Sequence, residues 1–212
     1  MYISIINMNN LHRESLKTST NKIKVYNEWA NSYDNYVESI NYQGPKELTK
    51  ILINLIDNFP TNIGIHRREL ERLKILDFGC GTGLVATEKK KHNIICSIHG
   101  IDISLNMIKK AMDKNVYNRI LHIDILKEKF PNNLKYDYIV SSGVFLEGHV
   151  PFIIINKIFK LLKSLGILII TVRDSYKNSN IMDFNKYILN NKNFRLISTR
   201  DINYLDNVKC KL

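Results

Sequence analysis

Ile75-Leu-Asp-Phe-Gly-Cys-Gly-Thr-Gly-Leu-Val-Ala86 is an apolar run that breaks into three closely spaced glycines and resumes as a helix start. Lys74 to Phe78 supplies a buried strand. Gly79, Gly81 and Gly83 supply a turn whose backbone can take positive φ and approach a ligand with no Cβ in the way.

Outward from this stretch, strand and helix patterns alternate: Gly83 to Lys91 helix, Ile94 to Ile103 strand, Ser104 to Lys114 helix, Arg119 to Ile123 strand, Tyr136 to Ser141 strand, Pro151 to Leu165 helix and Gly166 to Arg173 strand. That order predicts an α/β fold with a parallel sheet covered by helices on both faces. Upstream, Tyr26, Trp29, Tyr33 and Val37 recur at helical spacing within Ile23 to Ile40. A second helix after Pro45 carries Leu48, Ile51, Leu52, Leu55 and Ile56 on one face and is expected to stop at Phe59-Pro60. Downstream, a helix at Ile181 to Asn190 leads to strands at Phe194 to Tyr204 and Val208 to Leu212. The short Asp206-Asn207 connection requires these two strands to be antiparallel.

The chain has 212 residues, 44% of them apolar, which suits one domain with its own core and is short for two. That domain is expected over 23–212, behind a flexible amino-terminal segment over 1–22 that carries no secretion signal. The three cysteines, Cys80, Cys96 and Cys210, form no C-x-x-C pair, so neither a disulfide framework nor a metal site is expected, and a reducing cytoplasmic setting fits. The net charge of +11 is spread over scattered lysines, and its densest run, Lys89-Lys-Lys91, reads as a solvated helix face. Neither a nucleic-acid partner nor a membrane partner is expected: there is no aromatic-basic patch, and no window approaches the ~20 apolar residues of a membrane span. A monomer is expected.

The loop alone leaves two ligands open. Gly81-Thr-Gly-Leu-Val-Ala86 fits G-x-G-x-x-A, and Asp102 lies about where a dinucleotide site places its ribose-binding acid. Asp77, however, puts a negative charge at the strand end, where a pyrophosphate would be repelled and an ammonium or sulfonium group attracted. S-adenosylmethionine carries both cations. Asp102, in Gly100-Ile-Asp-Ile-Ser104, can accept from ribose hydroxyls beside an apolar Ile103, and Asp124, in Leu121-His-Ile-Asp-Ile125, can accept from an adenine amino group. Cys80 in the loop and Ser141 at the end of the fourth strand complete the expected cofactor-binding set.

These segments resemble the class I S-adenosylmethionine-dependent methyltransferases. Val25 to Asp34, Ile75 to Ala86, Gly100 to Ser104 and Gly143 to Pro151 narrow the resemblance to their methyltransferase-like 27 branch. The resemblance implies a Rossmann-like, seven-stranded, mostly parallel sheet with the last strand antiparallel and two amino-terminal helices capping the cofactor site. It also implies that Gly79, Gly81, Gly83 and Asp77 hold the methionine end, Asp102 the ribose, and Ile103, Asp124 and Ile125 the adenine, with Tyr33 closing over the cofactor. The resemblance weakens after Arg173.

Transfer from a sulfonium is an in-line displacement that needs positioning more than acid or base, so no catalytic group is obligatory. His149 and Glu147, after the fourth strand, are the expected catalytic residues where a base or an acceptor-orienting group is used, with Arg173 a clamp for an acidic acceptor. Ser141-Ser-Gly-Val144 is not the Asp/Asn-Pro-Pro-aromatic loop of similar adenine or glutamine methyltransferases, and Glu147 lacks the paired glutamate of arginine methyltransferases. The expected acceptor is a small molecule or a protein group of another kind. A nicotinamide-dependent oxidoreductase and a cofactor-binding protein without turnover remain the alternatives.

Overall fold

The computed structural model describes residues 10–58, 71–128, 130–131, 133–205 and 208–211, with side chains described as far as 202. The expected helix stop at Phe59-Pro60, the Asp206-Asn207 turn and residues 1–9 lie outside the described residues. Five parallel strands form the centre: β1 (Lys74–Phe78), β2 (Ser97–Asp102), β3 (Arg119–His122), β4 (Tyr136–Phe145) and β5 (Leu162–Arg173), in the spatial order β3-β2-β1-β4-β5. Beyond β5 lie β7 (Val208–Lys211) and then β6 (Asp201–Leu205), with β7 antiparallel to β5 through Val172↔Lys211 and Arg173↔Cys210. Strand order reverses between β1 and β4, which opens a crevice at their carboxyl ends.

The pleat sorts the core into two faces. Ile75, Ile98, Tyr138 and Val140 face α4 (Gly44–Asp57) and α5 (Leu84–Lys91) through Leu48, Leu52, Ile56, Val85 and Ala86. On the other face, Leu76, Phe78, Ile101, Ile139 and Phe145 pack under a 3₁₀ turn (Phe152–Ile154) and α7 (Ile155–Phe159). α6 (Leu105–Asp113) starts at Ser104, whose Oγ accepts from the Met107 N–H at 3.2 Å. Among the described residues no helix is long and apolar enough to cross a membrane.

Several expected elements are corrected. The stretch Ile23 to Ile40 is two helices, α2 (Lys22–Trp29) and α3 (Tyr33–Ser39), because the chain turns through Ala30 to Ser32. The helix after Pro45, expected as a second cap over the cofactor site, instead lies on the sheet, since its whole apolar stripe is needed to cover Ile75 and Tyr138. Upstream of these lies a helix α1 over 10–16, with Leu11 packed against the Trp29 cluster and His12 bonded to Tyr36.

The helix expected to reach Leu165 ends at Phe159, and β5 begins at Leu162. Ile154, Ile155, Ile158 and Leu161 keep a helical apolar spacing past the true end. A bulge absorbs the surplus chain, with pairing shifting from Tyr136↔Leu162 to Tyr138↔Ile167 while Leu165 sits exposed at φ 62. Residues 174–189 form α8 (Asp174–Ser179), α9 (Ile181–Phe184) and a π turn (Asn185–Leu189). The strand expected from Phe194 is extended by pattern only, and regular pairing starts at Asp201. Phe194 stacks on Phe159 at 3.8 Å between centroids rather than joining the sheet.

Candidate active site

At the carboxyl end of β1 the three loop glycines all have positive φ: 72° at Gly79, 53° at Gly81 and 88° at Gly83. A Cβ on Gly79 would collide with Val144 Cγ2, so β4 passes too close for any other residue. At Gly81 nothing among the described residues lies within 4 Å of such a Cβ, which leaves open space there. The N–H groups of Gly79 and Cys80 both donate to Ile101 O at 2.9 Å, tying the loop to the end of β2.

Asp102 is locked from two sides. Its Oδ2 accepts from the Gly81 N–H and its Oδ1 from the Ser104 N–H, both at 2.8 Å. Burial raises its pKa against the opposing pull of these backbone N–H groups. Asp77 is buried, and its Oδ2 accepts from the Tyr117 hydroxyl at 2.6 Å while its Oδ1 has no partner among the described residues. Burial pushes the Asp77 carboxyl up to about 7, with the Tyr117 bond lowering it and the Asp102 charge raising it further. A buried carboxylate oxygen left without a partner just before a glycine loop fits a ligand's cationic group.

The other expected cofactor residues fall around this loop in different ways. Ser141 is buried and its Oγ donates to Phe78 O at 2.8 Å, so it braces β4 against β1. Cys80 is buried beside Gly100, and burial drives its thiol well up. Half-buried Ile103 follows Asp102, and its carbonyl accepts from the His122 ring at 2.9 Å. Asp124 caps the turn after β3, accepting from the Leu126 N–H at 3.1 Å and pairing with Lys127 at 3.3 Å. Ile125 turns its side chain into the core. Tyr33 packs edge-on against Trp29 at 5.0 Å, and its hydroxyl pKa is driven up by burial first and then by Tyr42, Tyr26, Asp34 and Asp102. The neighbouring Asp34 accepts from the Thr82 hydroxyl of the glycine loop and pairs with Lys114 at 2.6 Å, which latches α3 onto the loop.

The expected catalytic pair sits at the carboxyl ends of β4 and β5. His149 Nδ1–H donates to Glu147 O at 2.9 Å, which leaves Nε2 to accept from the Tyr26 hydroxyl at 2.5 Å. Burial pushes the His149 ring down to about 4, and the positive charges of Lys22 and Arg173 add to that, so the imidazole is neutral at pH 7. Glu147 is engaged elsewhere: Oε2 meets Arg173 Nη1 at 3.3 Å, and Oε1 accepts from the Ser175 hydroxyl. Arg173, His12, Tyr26, Trp29, Tyr36 and Tyr42 line a cavity of ≈ 50 Å³ between the amino-terminal helices and the sheet. A larger hollow, ≈ 360 Å³, lies beside Lys89, Asn93 and Asn115 at the amino edge of the sheet, where no acids converge.

Sequence reasoning missed Tyr117, Asn27 and His12. Tyr117 grips Asp77 from 40 residues away, and Asn27 Oδ1 accepts from the Ser104 hydroxyl at 2.7 Å, fastening α2 to α6. No local pattern marks these residues. Tyr26 and Trp29 were visible as a helical face but not as lining of a site.

Fold and site together define an α/β domain with an acid-flanked glycine loop at the carboxyl edge of its sheet. The chain belongs to the methyltransferase domain family, which it matches over residues 32–205. It is 27% identical over 158 residues to methyltransferase-like protein 27 of Homo sapiens, covering 74% of this chain and 60% of that protein. It is 28% identical over 146 residues to a malonyl-[acyl-carrier protein] O-methyltransferase of Priestia megaterium, covering 69% of this chain and 48% of that one. The chain thus spans 60% and 48% of the lengths of these two relatives. Among solved structures, StiE O-MT residues 961-1257 shares the fold with a TM-score of 0.52 at 23% identity, covering 74% of this chain and 54% of that one.

Proposed function

We propose that the chain is an S-adenosylmethionine-dependent methyltransferase that transfers a methyl group to a small-molecule or protein acceptor. The observation that carries this reading is Asp77, whose buried Oδ1 has no partner among the described residues and which stands two positions before the glycine loop begins at Gly79. A nicotinamide dinucleotide would bring a pyrophosphate to the same place, against a carboxylate.

In this reading Gly79, Gly81, Gly83 and Asp77 hold the methionine end, with Cys80 and Ser141 bracing the loop. Asp102, already oriented by Gly81 and Ser104, takes the ribose hydroxyls. Ile103, Asp124 and the backbone of Ile125 border the adenine, and Tyr33 closes over the cofactor. The sulfonium supplies an activated methyl group with a neutral leaving group. The protein's part is to position the acceptor and exclude water, which the Tyr26, Trp29 and Tyr33 wall is built to do. His149 and Glu147 act chiefly by position: His149 clasps Tyr26, and Glu147 orients Arg173. The same reading takes the fold to be the complete seven-stranded methyltransferase sheet closed by an antiparallel strand, the catalytic domain to span 23–212, and the protein to act as a cytoplasmic monomer.

Calorimetric titration tests it. Saturable S-adenosylhomocysteine binding without NAD binding is expected, and the reverse sinks the proposal. Labelled S-adenosylmethionine incubated with fractionated lysate is expected to yield a labelled product. Cofactor binding with no product in any fraction would favour a protein that binds the cofactor without turnover.

A further inference from the structure

Five buried polar side-chain atoms have no partner among the described residues, and two of them belong to residues lining the ≈ 50 Å³ cavity: Arg173 Nε and Trp29 Nε1. Both are N–H donors. Two nearby ring nitrogens are engaged elsewhere, His12 Nδ1 with the Tyr36 hydroxyl at 2.5 Å and His149 Nε2 with the Tyr26 hydroxyl at 2.5 Å. Two donors without an acceptor call for oxygen lone pairs.

We propose that the methyl acceptor is a small carboxylic acid whose carboxylate docks in this cavity on Arg173 and Trp29. The proposal rests on the methyltransferase reading and names the acceptor's class. Four observations support a carboxylate. Arg173 gives Nη1 to Glu147 at 3.3 Å, at the long end of a hydrogen bond, and leaves Nε over; a guanidinium edge suits a planar oxyanion. Arg173 is itself among the residues lining the cavity and its side chain is only 12% exposed, so the guanidinium is largely withdrawn from solvent. The walls are aromatic, with Trp29 against Tyr26, Tyr33 and Tyr36 at 6.0, 5.0 and 5.2 Å, so a bound anion is shielded from water and its attraction to Arg173 is strengthened. The volume suits a small head group, since by the same measure a single water needs about 10–15 Å³. Gly143, at the carboxyl end of β4, and Tyr33 line the same cavity, so the body of the acceptor leaves it beside the residue proposed to cover the methyl donor.

Trp29 is the single tryptophan of the chain, so its fluorescence reports directly on this cavity. The full chain, saturated with S-adenosylhomocysteine, is titrated with acetate, benzoate and phenylacetate, each against its amide. Saturable quenching or enhancement by at least one acid, about 30-fold tighter than by its amide, is expected for a charge-assisted pair. Arg173→Gln should weaken that acid by about 30-fold while its S-adenosylhomocysteine affinity stays within about twofold, which also certifies its fold. If that variant fails to fold, Arg173→Lys keeps the charge facing Glu147 yet removes the Nε–H, and the same loss of acid binding is expected. Trp29→Phe, read by calorimetry, should weaken the acid by about fivefold.

Equal affinity for acid and amide overturns the proposal. So does full acid binding by the folded Arg173 variant, or no saturable binding by any of the three acids. Loss of S-adenosylhomocysteine binding by the unaltered protein would instead overturn the methyltransferase reading, because the acid titration can be repeated without the cofactor.

Discussion

The two halves of the sheet's carboxyl edge are built by different means. At β1 and β2 the chain uses backbone: three glycines at positive φ, two N–H groups on Ile101 O, and Gly81 and Ser104 fixing both oxygens of Asp102. At β4 and β5 it uses side chains drawn from α1, α2, α3 and the loop after β4, with Tyr26 reaching His149 across 123 positions. A site made of backbone turns has to be written locally. One made of side chains that meet across the fold does not.

Changes on the backbone side should be the most damaging. Gly79→Ala combines positive φ with a Cβ that collides with Val144, and is expected to cost about 3 kcal/mol or more of stability and to abolish cofactor binding, as read by thermal melting and calorimetry. Gly81→Ala faces open space and should cost only about 1 kcal/mol from φ strain. Equal effects from the two would break the distinction between the closed and open faces of the loop. Asp102→Ala comes next, weakening S-adenosylhomocysteine by about 1–3 kcal/mol in a protein that still folds. An unchanged affinity would remove Asp102 from the site.

On the side-chain side, Tyr26→Phe should leave cofactor affinity unaltered and lower stability by about 1 kcal/mol at pH 7. His149 adds a pH dependence of definite sign. Its folded pKa, about 4, lies below the ordinary 6.5, so its contribution is full above pH 6.5 and is lost as pH falls toward 4. Denaturant midpoints measured from pH 7 to 4.5 should therefore fall less steeply in His149→Gln than in the unaltered chain. Identical slopes would show that the ring is not held neutral by its burial.

The same division explains what could be read in advance. Gly79 to Gly83, Asp77 and Asp102 lie within or just after their own strands, so spacing alone placed them together at one sheet edge. The cavity was not legible: Trp29 and Arg173 are 144 positions apart, and α1 over 10–16 has no apolar stripe to announce it. His149 is visible in the sequence but its hydrogen bonds are not, because a histidine's lone pair is assigned by its partner, here Tyr26. β5 was misplaced at its start because Leu161 continues the spacing of Ile154, Ile155 and Ile158 after the helix has ended.

The central claim is that the glycine-loop side holds the cationic methionine end of the cofactor on Asp77, and proton linkage tests it most directly. Burial raises that carboxyl from 3.8 to about 7, so in the free protein near pH 6 it is mostly protonated. A ligand ammonium binds the ionised form. Calorimetric titration of S-adenosylhomocysteine at pH 6, in two buffers of different ionisation enthalpy, should then reveal release of close to one proton, and affinity should rise as pH increases through 7. Asp77→Asn should bind more weakly and release none. Binding without proton release, unchanged in Asp77→Asn, would contradict the account.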